Sequence, residues 1–309
     1  MNTCRKACSN VSIKALVAFF VAVFAVVVLS GCASQSYTPE KKQSILSASA
    51  LHTDGVLRVG VDASSAPYAA QSQGDIMGID VDIAAALADE MGLKLELVDV
   101  GSNVDSAFSQ ENVDIVMGVE TTSTAFWTSE PYMESAIVLF ASDPSTSAPT
   151  SGSFTIAAQS SSMSAWQVND HFGEEHLMSE ADLKSAFEDL QAGKVNYVAA
   201  DSTIGAYVAH SLGIEAYPVA LLQDKTEYRI ACPSTASAVQ TAVTNSLTTL
   251  QRGGIITVIE NKWLGEMTPL SNLPRVTTTV NPPENDSATT NEAGSNAVTA
   301  DEGDDEDEE

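Results

Sequence analysis

The sequence predicts an α/β protein of two lobes, each built on a parallel-rich sheet. Strand-like and helix-like segments alternate along the chain, as parallel strands linked by crossover helices require. The alternation runs twice, and a Ser/Thr/Pro-rich stretch at 142–153 separates the two series. A chain of this size also has the apolar residues to fill two lobes.

The elements follow in order. VLRVGV at 56–61 is the first strand. GIDVDIAAALADEMG is a helix: Ile79, Ile83 and Leu87 share one face, Gly92 stops it, and Asp80 and Asp82 sit near its positive start. KLELV at 94–98, a short helix at 104–109 and VDIVM at 113–117 complete the first series. The second contains FTIAA at 154–158, a helix carrying Leu183, Phe187 and Leu190 with Gly193 as its stop, and VNYVAA at 195–200.

Ligands of open α/β sheets bind beyond the carboxyl ends of the strands. The residues at those ends are Asp62, then Gly118, Glu120, Thr121 and Thr122, then Ser161 and Ser162, then Asp201. Two lobes turning these edges toward each other make one polar cleft. Each residue alone serves equally well as a helix cap or a turn former.

The chain ends carry different signals. Arg5, Lys6 and Lys14 precede an apolar run at 15–30 that closes in Leu29-Ser30-Gly31-Cys32. That pattern predicts a signal peptide at 1–31 and lipid modification of Cys32, since sixteen apolar residues are short for a membrane span of about 20. The expected mature protein is held at the outer face of the cell membrane by that lipid, on a flexible tether at 32–53. Cys4 and Cys8 leave with the signal peptide, so Cys232 stands alone as a buried apolar residue and no intramolecular disulfide is possible. The formal net charge is −27, of which eleven acids after Arg275 form an acidic end. Residues 268–309 are expected to be a disordered acidic tail. Nucleic acid is excluded as a partner, because phosphate binding needs clustered Lys and Arg. A cationic or neutral solute suits the charge better.

Five segments in series resemble the family 3 extracellular solute-binding proteins, the polar amino-acid receptors of ABC importers. They are LRVGVDASSAPY, GIDVDIAAALA, SEPYMES, VNYVAADSTIGAYV and LTTLQRGGIITVIENKWLG, spread over residues 55–267. The resemblance implies a type II periplasmic-binding fold, two α/β lobes joined by two crossover strands near Ile137–Ala141 and Tyr228–Ala231. Lobe 1 is then 54–139 with 231–267, and lobe 2 is 140–230. It also implies a monomer that closes on its solute and is read by an ABC transporter permease, with no cofactor and no enzymatic activity.

Members of this family hold the α-carboxylate with a Thr and an Arg, the ammonium with a strand-end acid of lobe 2, and the side chain under an aromatic near the first strand. Asp201, Asp62, Tyr68 and Thr121 match the acid, first-strand and hydroxyl positions. The Arg is missing: none occurs between Arg58 and Arg229, and Phe126 falls at the matching position. Charge-assisted hydrogen bonds are worth about 1.5–3 kcal/mol each, so α-carboxylate binding weakens by about tenfold or more. The expectation is a receptor for an amine-bearing or atypical amino-acid-like solute. Asp201, Asp62 and Glu120 then recognise charge, Tyr68, Phe126 and Trp127 provide walls, and the helix start at Ser162 replaces part of the anion clamp. Phe126 and Trp127 equally suit core packing, and Trp166 and Trp263 are expected in the core. A solute sensor without an importer, or a dehydratase-like enzyme on the same fold, are the alternatives. HFGEEH at 171–176 lacks the spacing of helical zinc pairs, so no metal is expected.

Overall fold

A computed structural model describes residues 42–120 and 123–277, and the described residues from Gln43 form one compact unit. Residues 1–31, expected as a signal peptide, the expected lipidation site Cys32, Thr121, Thr122 and the chain beyond 277 lie outside the described residues. Among those described, no helix is long and apolar enough to cross a membrane.

The chain opens with β1 (Val56–Val61), followed by a small antiparallel ribbon of β2 (Ser64–Ser65), β3 (Ala69–Ser72) and β4 (Asp75–Met77). Helix α1 (Ile79–Glu90) starts at Gly78, where a Cβ would lie 2.1 Å from the Tyr68 carbonyl oxygen, so only glycine fits. Ile79, Ile83 and Leu87 are buried on one face of α1, as their spacing requires. Then come β5 (Lys94–Asp99), α2 (Val104–Gln110), β6 (Ile115–Val119), β7 (Phe126–Thr128) and β8 (Met133–Ser135). The second series is β9 (Ile137–Ala141), β10 (Ile156–Gln159), α3 (Met163–Phe172), β11 (Leu177–Glu180), α4 (Leu183–Gln191), β12 (Tyr197–Asp201), α5 (Ser202–Leu212) and β13 (Tyr217–Leu221). The long strand β14 (Thr226–Pro233) returns to the first sheet, and α6 (Ser237–Arg252) and α7 (Ile255–Leu264) follow it.

The two main sheets repeat one plan. The first runs β5-β1-β6-β14-β7 and the second β11-β10-β12-β9-β13. In each, the second, first and third strands lie parallel, and an antiparallel strand arriving from the other half separates them from the fourth. This is the type II arrangement. Both faces of β9 are covered, which is why IVLFA reads as an unbroken apolar run.

The halves meet where β8 pairs antiparallel with the start of β14, with Glu134 opposite Glu227 and Met133 opposite Tyr228. The first crossing therefore comes earlier than expected, and Ile137–Ala141 lies wholly inside the second sheet. Three further differences have local causes. The third strand begins at Ile115, two residues late, because the buried Asp114 turns aside to accept the backbone N–H groups of His52 and Arg58. Residues 43–53, expected as tether, are docked: Ile45 N–H donates to Met91 O, and Leu46 and Leu51 pack on the core. Residues 268–277, expected as tail, bury Leu270 and Val276 and bridge Arg275 to Leu221.

One core runs through both halves, from Leu57, Ile83 and Ile115 to Phe140, Phe187 and Val198. Helix α7 helps to join them, packing on both α1 and α5. Its Trp263 donates its indole N–H to Asp82 of α1 at 2.6 Å, and its ring faces Tyr207 of α5 at 6.4 Å. Trp263 is partly buried there, whereas Trp166 is 58% exposed on α3, contrary to expectation. Ala165, Val168 and Phe172 form the buried face of α3 and leave Trp166 on the outer one. Cys232 is free and buried.

Candidate functional site

The strand ends converge around two tyrosines. Tyr68, between β2 and β3, lies against Tyr228 of the crossing strand β14, with ring centroids 4.7 Å apart. Tyr68 is only 7% exposed, and among the described residues its hydroxyl meets no partner at hydrogen-bonding geometry. The hydroxyls of Tyr228 and Thr203 lie beside it. Burial, reinforced by the negative charge of Asp201, holds the Tyr68 phenol well above its usual pKa. Burial likewise pushes Tyr228 to about 12.

Asp201 ends β12 and caps α5. Its carboxylate accepts the N–H groups of Thr203 and Ile204, both at 3.0 Å, and the Ser135 hydroxyl at 2.7 Å. Local sequence explains the first two bonds, since an acid before a helix satisfies its free N–H groups. The third ties lobe 2 to the crossing strand β8. Burial still raises the Asp201 pKa against these donors, so a cation placed beside it would favour the ionised form.

A cavity of about 130 Å3 lies against this cluster, lined by Asp62, Tyr68, Asp80, Gly118 and Tyr228 among others. Asp62 accepts both the N–H and the hydroxyl of Ser64, which fixes the turn after β1. Asp80 is buried and accepts the Tyr132 hydroxyl at 2.6 Å, while that hydroxyl accepts the Gly118 N–H at 2.9 Å. Burial raises Asp80 to about 6, opposed by the bond from Tyr132. Gly118 has φ +73°, and a Cβ there would stand 3.0 Å from an Asp80 carboxylate oxygen. Glycine is thus required both by its backbone and by its neighbour.

The expected site residues separate into two groups. Asp62, Tyr68 and Gly118 share the cavity, and Asp201 stands across from Tyr68. Glu120 lies exposed past the end of β6, where its charge raises Tyr228 further. Thr121 and Thr122 fall outside the described residues. Phe126 does not line this cavity: it is 8% exposed and packs with Phe108 and Val119 in a small apolar cluster of its own. Pairing of β7 with β14 places it there, Phe126 opposite Pro233. Trp127 is partly buried against the main core. Ser162 spends its hydroxyl on capping α3 through Ala165 N–H, and Ser161 is an exposed residue at φ +57°. Neither lines the cavity beside Tyr68.

Sequence reasoning placed Asp80 at a helix start and Tyr228 at a crossover, without assigning either to the cavity. Their signals were the acid that opens the GIDVDI helix and an aromatic on a crossing strand. Arg229 does not reach into the cavity, since its guanidinium donates to Ser129 O at 2.8 Å and pairs with Glu227. Among the described residues, no group of His, Cys, Asp and Glu has the arrangement of a metal site. His176 instead bonds to Phe154 O at 2.9 Å and stacks on the Phe154 ring.

The family model of the Bacterial extracellular solute-binding proteins, family 3, matches residues 57–266. The chain belongs to this family. Its matched region takes in β1 to α7, hence both lobes and the whole cavity. A polar amino acid ABC uptake transporter substrate binding protein from Streptococcus thermophilus superposes with a TM-score of 0.61 at 20% identity, covering 69% of this chain and 87% of that one. Substrate binding domain 2 of GlnP from Lactococcus lactis, in its open conformation, gives 0.55 at 23% identity over 69% and 96%. The Ancestral Cationic Amino Acid Solute Binding Protein gives 0.53 at 24% identity over 68% and 96%. At these identities the structures establish a common fold for the family 3 chain. No curated protein matches it at a significant level.

Proposed function

We propose that the protein is the extracytoplasmic receptor of an ABC importer for a small solute bearing an amine or other cationic group. The observation that carries this reading is Asp201, desolvated and anchored to the crossing strand, facing the Tyr68–Tyr228 pair in a chain without arginine between Arg58 and Arg229. Asp62 and Asp80 add negative potential from lobe 1, and Glu120 adds it from the rim. Aromatic faces attract a desolvated cation by roughly 1–2 kcal/mol. A free α-carboxylate gains nothing comparable, because four acids oppose it and no guanidinium balances them. Solute contact with both lobes would favour the closed form, which the permease reads. In this reading the protein is a monomer, held to the membrane through the lipid on Cys32, and the charged end beyond 277 plays no part in binding.

Thermal shift of the full chain against panels of amines, amino acids and short peptides tests the proposal. At a ligand concentration 100-fold above Kd, stabilisation of about 2.7 kcal/mol is expected, a rise of roughly 5–10 °C for a chain of this size. Asp201→Ala is expected to weaken the amine by at least about tenfold. An amine whose affinity is the same in parent and Asp201→Ala chains would show the assignment to be wrong.

A further inference from the structure

A second cavity, of about 380 Å3, opens where β8, the start of α5, helix α7 and the segment after α7 meet. It shares no lining residue with the cavity beside Tyr68. Its size falls within the range of small-molecule sites, about 300–1,000 Å3. Its lining combines the apolar Tyr132, Met133, Leu264 and Leu270 with Thr257, Glu260 and Asn261, and Leu264 shares the cavity-facing stripe of α7 with these polar residues.

Glu260 is the informative member. It projects from the middle of α7, half-buried, and among the described residues it has neither a hydrogen-bond partner nor a counter-ion. Burial raises its carboxyl to about 7. The other acid on the cavity, Glu134, is already paired with Lys225 at 2.7 Å. A half-buried carboxylate at a cavity wall with no partner is open to a ligand that brings it a positive charge or a donor. The hydroxyl of Thr257 and the amide of Asn261, one α-helical turn or less away along α7, can complete the hydrogen bonds of an ammonium.

We propose that this cavity is a second small-molecule site, which takes a compact primary amine with an apolar body. The ammonium lies on Glu260, and the body lies against Tyr132, Met133 and Leu264. The site is separate from the cleft and does not depend on the assignment made there. It is nevertheless joined to the cleft, because Tyr132 lines one cavity and donates its hydroxyl to Asp80 in the other. Thr203 similarly lines the second cavity and lies beside the Tyr68 hydroxyl.

Benzylamine is a suitable probe, with benzyl alcohol as the uncharged control, titrated into the full chain while methionine methyl resonances are followed. Met133 and Met267 line the cavity and report its occupancy, and Met267 lies on the segment after α7, away from the Tyr228 strand. The expected result is movement of these two methyls with benzylamine and binding weaker by at least about tenfold in Glu260→Gln or with the alcohol. Thr257→Phe, an exposed position whose larger side chain fills the cavity, is expected to abolish the response. The same response should persist in Asp201→Ala, so that failure of the cleft assignment and failure of this one are distinguishable. Methyls that stay unmoved in the parent chain, or that titrate alike in the parent and Glu260→Gln chains, overturn the proposal.

Discussion

Among the described residues Tyr68 holds a buried hydroxyl without a partner, a feature that weakens the fold. Tyr68→Phe is therefore expected to leave stability unchanged or raise it by up to about 1 kcal/mol in denaturant melts, while reducing affinity for a solute that hydrogen-bonds there. Loss of stability without loss of affinity would contradict the role assigned to that hydroxyl. Titration offers a second check at this scale. Burial raises Asp80 to about 6 and Glu260 to about 7, so both favour the neutral acid in the fold. Their contribution to stability is full below the ordinary carboxylate range and is lost as pH rises through those values. Replacing Glu260 by Gln removes its share: relative to the parent, the variant should gain stability between pH 4.5 and 8. Partial exposure screens the effect, leaving a gain of roughly 1–2 kcal/mol. Melting curves of both chains across that range measure it, and parallel curves would refute it.

The crossing strand β8 is only three residues long, yet it holds the Asp201 carboxylate in place. Ser135 is fully buried, donates to Asp201, and accepts from Ser202 and Thr203. Ser135→Ala leaves these groups without their partner and should destabilise by about 1–3 kcal/mol, measurable by urea unfolding. It should also loosen solute binding, because Asp201 loses the bond that orients it. Much at this level was legible in the sequence. Periodicity located β1, α1, β5 and α4, because a single buried face dictates each pattern. An acid directly after a strand marked Asp62 and Asp201. Local pattern failed where distant contacts decide. Asp114 delays β6 only because His52 and Arg58 offer it backbone donors, and Phe126 enters the core only because β14 returns from the other half. Asp80 and Tyr228 were missed for the same reason: their shared cavity is assembled from segments about 150 residues apart.

Across the whole molecule, two copies of one sheet plan exchange strands, so neither half is complete without the other. Their order was readable because five motifs lie in series; the exact crossing was not, since β8 is too short to carry a periodic signal. Helix α7 spans the same joint through Trp263, whose indole is bonded to Asp82 while its ring faces Tyr207. The chain thereby contains its own optical gauge of the angle between the halves. Any motion of α5 against α1 changes the distance from this indole to a phenol, and with it the emission intensity. In a Trp166→Phe background, which removes the exposed emitter, solute binding should shift fluorescence without any attached dye. A Trp263→Phe chain that retains the whole signal would place the motion elsewhere.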